Sequence, residues 1–269
     1  MSVSSTEGLS RRDVLARTAT GAGIVLSGSY SGLFGSGTAA AHALGRGKPG
    51  GVGYGPLVPD PKGLLSLPEG FSYKLVAQSG VTRLESGQPT PSDPDGTAAF
   101  VRHGGNGSVL VNNHEVGGSE PFPVPRVPGF TYDPAAGGGT TNIEVDKDGN
   151  RVREYVSLAG THNNCAGGKS PWNTWLTCEE AESLTGQTKP HGYVFEVDPY
   201  DQDANRDPKP IKALGRYAHE ALVVDPDNGT IYLTEDAGNP NGLLYRWTPP
   251  GLPRPSACAA AVPEPNSPE

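Results

Sequence analysis

Between residues 53 and 248 the chain shows almost no helical periodicity; short runs of alternating or continuous apolar residues are bounded instead by Gly, Pro, Asn and Asp. Such runs predict β-strands joined by tight turns, since a strand sends successive side chains to opposite faces and Gly and Pro supply the backbone angles of turns. About ten are legible: Phe71 to Gln78, Thr97 to His103, Ser108 to Glu115, Thr140 to Asp146, Arg153 to Gly160, Asn173 to Glu180, Gly192 to Asp198, Ile211 to Tyr217, Thr230 to Asp236 and Gly242 to Thr248. A further apolar run, Ala221 to Asp225, leads into the turn Pro226-Asp227-Asn228-Gly229, and Asp148-Gly149 and Asn228-Gly229 are the strongest turn signals. The expected fold class is all-β.

Some of these segments repeat as a set. Ser108 to Glu115, Asn173 to Glu180 and Thr230 to Asp236 each run apolar and end in acid, and each is followed by an aliphatic strand, at Asn142 to Asp146, Tyr193 to Asp198 and Leu243 to Trp247. The closing acids Glu115, Glu179 and Glu235 are 64 and then 56 residues apart. That period suits four-stranded blades of a β-propeller, whose inner strands would bring equivalent ends to one channel mouth. Carboxylates gathered there repel one another unless a cation offsets their charge, so the pattern predicts a metal site. Solvated strand ends are the plainer reading. Ten strands amount to about two and a half blades, short of the four that closure needs. The expectation is a truncated partial propeller over residues 44–248, followed from Pro249 to Glu269 by a Pro/Ala-rich aberrant tail without alternation; a natural Pro-rich tail is the competing reading.

Composition narrows the class. Gly 38 and Pro 27 make up about a quarter of the 269 residues, yet they punctuate apolar runs rather than form a low-complexity tract. The net charge of −8 argues against nucleic acid, which needs a basic face, and leaves acids free to serve metals. Three cysteines cannot all pair within the chain. At the front, Ser10-Arg11-Arg12-Asp13-Val14-Leu15 runs into a weakly apolar stretch from Ala19 to Leu26. This is a twin-arginine export signal, too short and polar for a stable membrane anchor, with cleavage expected near Ala41 to Ala43. The signal is therefore residues 1–43, its partner is the twin-arginine export machinery, and the expected location is periplasmic, cell-surface or secreted. A monomer is expected.

The segment Gly160 to Glu180 carries the most chemistry. Cys165 precedes Glu179 by fourteen residues, and Glu220 precedes Glu235 by fifteen, so Cys165 and Glu220 hold matching positions in turns at the channel end; Asp95-Gly96, twenty residues before Glu115, is a looser match. A thiolate among carboxylates suits a transition metal beside harder cations such as calcium. A Cys165–Cys178 disulfide is disfavoured, because Cys178 and Glu179 are neighbours on a strand and point to opposite faces. Asp201 to Asp207 has alternating oxygen ligands but lacks the glycine and glutamate of a calcium loop, and reads as a solvated acidic loop. Gly167-Gly168-Lys169-Ser170 lacks the preceding glycine of a phosphate loop. His103, His162 and His191 read as surface or turn residues, His114 and His219 as orienters of acids or phosphate or as structural donors, and Trp172 and Trp175 as packing.

Taken in order, Asn112-Asn113-His114-Glu115, Asn164-Cys165-Ala166-Gly167-Gly168, Thr174 to Glu180, Arg216-Tyr217-Ala218-His219-Glu220, Tyr232 to Asp236 and Gly242 to Arg246 resemble the PhoX-type alkaline phosphatases over roughly Gly53 to Thr248. The resemblance implies a phosphomonoester hydrolase on a six-bladed propeller, with Fe(3+) and Ca(2+) at the channel mouth. It further implies Cys165 as the iron-binding thiolate, Glu220 as a carboxylate iron ligand, and Glu115, Glu179, Glu180, Glu235 and Asp236 as acids that hold calcium or iron. The family's later blades, with further ligands and a phosphate-binding arginine, have no counterpart after Thr248, so the expected product is an inactive or incomplete fragment. Two rivals are a calcium-propeller hydrolase acting on lactones, which has no need of Cys165, and a non-catalytic propeller holding structural calcium.

Overall fold

The computed structural model describes residues 53–238 and 241–250. The expected export signal at 1–43 and the expected tail from 251 onward lie outside them. The chain divides into two units, Met1–Tyr73 and Lys74–Glu269. In the first, the two-residue strands β1 (Leu57–Val58) and β2 (Leu67–Pro68) pair antiparallel. Their connection is organised by Asp60, which accepts the backbone N–H groups of Lys62, Leu64 and Leu65 and the Tyr73 hydroxyl.

The described residues of the second unit are all-β apart from three single 3-10 turns. It contains three antiparallel sheets, each a meander in which sequence neighbours are spatial neighbours. The first sheet orders β3 (Pro94–Val101), β4 (Ser108–His114), β5 (Gly138–Val145) and β6 (Arg151–Thr161). The second orders β7 (Asn164–Lys169), β8 (Trp175–Glu179) and β9 (Val194–Val197), and the third β10 (His219–Val224), β11 (Ile231–Glu235) and β12 (Leu244–Trp247). None of them closes on itself. No helix among the described residues is long and apolar enough to cross a membrane.

The alternation read from the sequence decides how the sheets stack. Along β8, Leu176 and Cys178 point into a cluster with Leu222, Val224, Ile231 and Leu233 of the third sheet. Trp175 points the other way, into a cluster with Ala98, Phe100 and Val111 of the first. The second sheet is thus covered on both faces, and burial of these side chains, at about 25 cal/mol per Å² of apolar surface, is what holds the stack together. Glycine permits the close approach. A Cβ on Gly96 would lie 2.7 Å from Ala166 Cα, and one on Gly168 only 2.2 Å from the Leu222 carbonyl oxygen, so first strands β3, β7 and β10 meet backbone to backbone.

Two expected strands do not form, and besides the two-residue β1 and β2 an unexpected one, β7, does. Phe71 to Gln78 has no strand partner. Ile211 to Tyr217 touches the free edge of β9 only at its two ends, where Ile211 N–H donates to Val194 and Tyr217 N–H to Gly192. Between them Lys212–Leu214 turns as a 3-10 segment, closed by Gly215 at φ +93°, which breaks the ladder. Strand β7, Asn-Cys-Ala-Gly-Gly-Lys, was overlooked because a strand with two central glycines carries no hydrophobic alternation; its ladder to β8 and its neighbours' side chains stabilise it instead.

Candidate metal centre

The three sheets share one local irregularity. Pro94 pairs with His114, Asn164 with Glu179 and His219 with Glu235; the next pairs are Thr97 with Asn112, Gly167 with Thr177 and Leu222 with Leu233. In each sheet, then, two residues of the first strand face one residue of the second. These are β-bulges, which bend a strand and re-aim a side chain. The bulged residues are Asp95-Gly96, Cys165-Ala166 and Glu220-Ala221. Just beyond the bulge, the residue after each second strand returns its N–H to the residue before each first strand: Glu115 to Asp93, Glu180 to Asn163 and Asp236 to Ala218. The repeat therefore aligns Asp95, Cys165 and Glu220 as one set and Glu115, Glu180 and Asp236 as another. The strand-end set is one residue out of step with the spacing of acids used above, which had matched Glu115 to Glu179 and Glu235.

These two sets converge. Donor atoms of Cys165, Glu180 and Glu220 all lie within 4.8 Å of one another. The Glu180 carboxyl also contacts those of Asp236 and Glu115, and Glu115 contacts Asp95. Cys165 is buried, Glu115, Glu180 and Glu220 half-buried, and Asp95 and Asp236 exposed, so the group opens to solvent on one side. Electrostatics mark it as unfinished. Burial, then the Asp236 and Glu115 carboxyls, then the charge of Glu220 push Glu180 up to about 8. Burial raises Glu115 too, with Asp95 and Glu220 adding to the effect. The Cys165 thiol is pushed far up by burial, and Sγ lies 3.3 Å from the carbonyl oxygens of His219 and Glu220.

A cation fits this donor set. Ligands on opposite sides of an ion bound at about 2.3 Å stand about 4.6 Å apart, close to the spread found here. A thiol beside hard carboxylates accommodates a transition metal and an oxygen-loving ion together.

Glu179 and Glu235, also expected to hold metal, are placed elsewhere by strand alternation. Glu179 is fully buried; its Oε1 accepts His191 Nδ1 at 2.6 Å and His162 N–H at 2.9 Å, and its Oε2 accepts the N–H groups of Gly192 and Tyr193. Glu235 Oε2 accepts Leu243 N–H and the Tyr245 hydroxyl. Both carboxylates brace a strand end one residue before the cluster. Cys165 and Cys178 are free thiols, with Cys178 fully buried in the packing between the second and third sheets.

His191 corrects the reading of it as a surface or turn residue. It is wholly buried between Glu179 and Asp133, whose Oδ2 is 3.3 Å from Nε2. Burial lowers its proton affinity, but the two carboxylates outweigh burial and the net shift is upward. No spacing rule links residues 133, 179 and 191; only packing does. His162 is also buried, whereas His103 lies exposed against the Tyr200 ring. His114 is structural, bonded to Ser92 O and Thr141 Oγ1, and burial lowers it to about 4. His219 stacks on Tyr217. Trp175 packs in the core, but Trp172 is exposed. Lys169 lies over the Phe100 ring, not in a phosphate loop. In the acidic loop Asn205 turns inward to bond the Asp198 backbone and Asp203 pairs with Arg206, consistent with a solvated loop.

A family model described as "Alkaline phosphatase PhoX" matches residues 52–260. No curated protein and no solved structure matches the chain.

Proposed function

Because the chain belongs to the PhoX alkaline phosphatase family, a family of metal-dependent phosphatase-type hydrolases, we propose that it holds calcium and ferric iron and acts on phosphomonoesters outside the cytoplasm. The observation that carries this reading is the convergence of Cys165, Glu180 and Glu220 from two consecutive sheets. The proposal includes the fold: the three stacked meanders are consecutive blades of a β-propeller, and the bulged ends mark its channel mouth. It also includes the route, a twin-arginine signal at residues 1–43.

Each residue has a separate task. Cys165 and Glu220 take the transition metal, as thiolate and carboxylate. Glu115, Glu180 and Asp236, with Asp95, supply oxygen ligands to calcium or iron. Glu179 and Glu235 support them by fixing the strand ends. When bound, the cations offset the charge of the phosphoryl oxygens and activate an oxygen nucleophile. The exposed positions of Asp95 and Asp236 leave the side through which a phosphate ester can approach.

Metal content and hydrolysis of p-nitrophenyl phosphate by the purified chain test this. Bound calcium and iron are expected, and whatever phosphate release accompanies them should be removed by EDTA and restored by the two ions together. Glu220→Gln is expected to lose iron while remaining folded. Hydrolysis that survives EDTA, or equal iron in Glu220→Gln and the parent protein, sinks the proposal. Export is tested separately, by the failure of an Arg11→Lys/Arg12→Lys protein to leave the cytoplasm.

A further inference from the structure

Asn113 lies on β4 with no exposed surface. It stands opposite the bulge of its own sheet, yet its side chain serves the bulge of the next. Nδ2 donates to Cys165 O at 3.1 Å and to Ala166 O at 2.8 Å. Oδ1 accepts Trp175 Nε1 at 2.8 Å and Thr177 Oγ1 at 2.9 Å. Chemistry fixes the orientation of this amide: an indole N–H can only donate and a backbone carbonyl can only accept, so the amide cannot be reversed. All of its hydrogen-bonding capacity is used.

The clamp falls at a break in the ladder. A bulge interrupts the ladder, and a buried carbonyl left without a donor is costly. Asn113 supplies a donor to each of the two carbonyls at the bulge that carries the thiol. The equivalent positions in the second and third sheets are Cys178 and Thr234. Thr234 Oγ1 bonds Ala221 N–H and O within its own sheet, and the cross-sheet contact at the Glu220 bulge is Cys165 Sγ, 3.3 Å from Glu220 O; the side chain that grips both bulge carbonyls from the neighbouring sheet is at the Cys165 bulge.

Cys165 O belongs to the residue that carries the thiol, and Ala166 O to its neighbour in the bulge. We propose that Asn113 is a positioning residue for Cys165: by gripping both carbonyls of the bulge it fixes the backbone from which the thiol projects and sets the direction from which Sγ meets a thiophilic cation. This rests on the reading of Cys165 as a metal-holding thiolate. Calcium, held by carboxylates alone, does not depend on that direction.

The test uses the full chain, Co2+ as the thiophilic probe and Ca2+ as the control. Asn113→Asp keeps acceptors for Trp175 and Thr177 but sets an oxygen against the two carbonyls; Asn113→Thr keeps one donor. Circular dichroism and thermal melting without metal establish the fold of each. Loss of such an outer partner costs about 10–100-fold in metal affinity, so Co2+ binding is expected to weaken by that factor in Asn113→Asp and by less in Asn113→Thr. The thiolate-to-cobalt absorption band should shift or fade, while the Ca2+ midpoint from thermal shifts moves by less than about threefold. A parent-like band and affinity in folded variants overturn the proposal. So do parallel losses of Co2+ and Ca2+ binding, and so does unfolding of both variants, which would assign Asn113 a purely structural role. A parent protein with no thiolate band, or a band that survives Cys165→Ser, defeats instead the metal reading of Cys165 and this inference with it.

Discussion

Replacing Glu180 by Gln separates a metal centre from an ordinary structural carboxylate, because the two predict opposite signs. In the metal-free protein Glu180 is raised from 4.5 to about 8 by burial and by the Asp236, Glu115 and Glu220 carboxyls. A carboxyl whose folded value is raised binds its proton more tightly in the folded state, so stability falls as pH rises from about 4.5 to about 8 and stays low above that. Unscreened, the shift corresponds to about 4.8 kcal/mol at 1.36 kcal/mol per unit. The group is half-buried and solvent screens it, so about 1–2 kcal/mol is the expected effect. Glu180→Gln keeps the size and removes the charge. At pH 8.5 in EDTA it should melt higher than the parent by roughly 2–8 °C, at about 2–4 °C per kcal/mol for a chain of this size. At pH 4.5 the difference should vanish. Adding Ca2+ reverses the order, since stabilisation by a bound ion grows with affinity and the variant has lost a ligand. Thermal unfolding at both pH values, with EDTA and with Ca2+, reads all four conditions. If Glu180→Gln melts below the parent in EDTA at pH 8.5, or gains as much from Ca2+, the carboxylate is not frustrated and the reasoning fails.

Other substitutions probe the frame around the centre. His191→Leu leaves Asp133 and Glu179 facing each other without a proton between them and should cost about 3–5 kcal/mol, read as a lowered urea midpoint; a loss under about 1 kcal/mol would mean the buried pair is unimportant. Gly168→Ala places a methyl against the Leu222 carbonyl oxygen, 2.2 Å away, and should destabilise by about 1–3 kcal/mol by prising the second and third sheets apart; unchanged stability would contradict the close packing. The two thiols should behave differently. Cys178→Ser buries a hydroxyl in the apolar contact and lowers stability by about 1–3 kcal/mol while leaving Co2+ binding intact, whereas Cys165→Ser abolishes the cobalt–thiolate band; the reverse pattern would reassign the ligand.

The amino-acid sequence by itself determined the all-β class, most strand positions and the succession of each acid-ending strand by an aliphatic one, since alternation and turn residues are local signals; that the two pair is a finding of the structure. It also brought Cys165, Glu220 and the strand-end acids under suspicion through their spacing. It could not decide which of two adjacent acids turns toward the cluster. Glu179 and Glu180 differ by one position, and only the pairing of Asn164 with Glu179 shows that the first braces the strand while the second leaves it. The three bulges were invisible for the same reason: an extra residue in a ladder is defined by its partner strand, not by its own composition. Asp133, Glu179 and His191 meet, and Asn113 reaches the Cys165 bulge, across separations of 58 and 52 residues that carry no periodic signal. Local preference wrote the strands into the chain. Stacking of the sheets, driven by burial of apolar faces that say nothing about polar neighbours, chose which side chains converge.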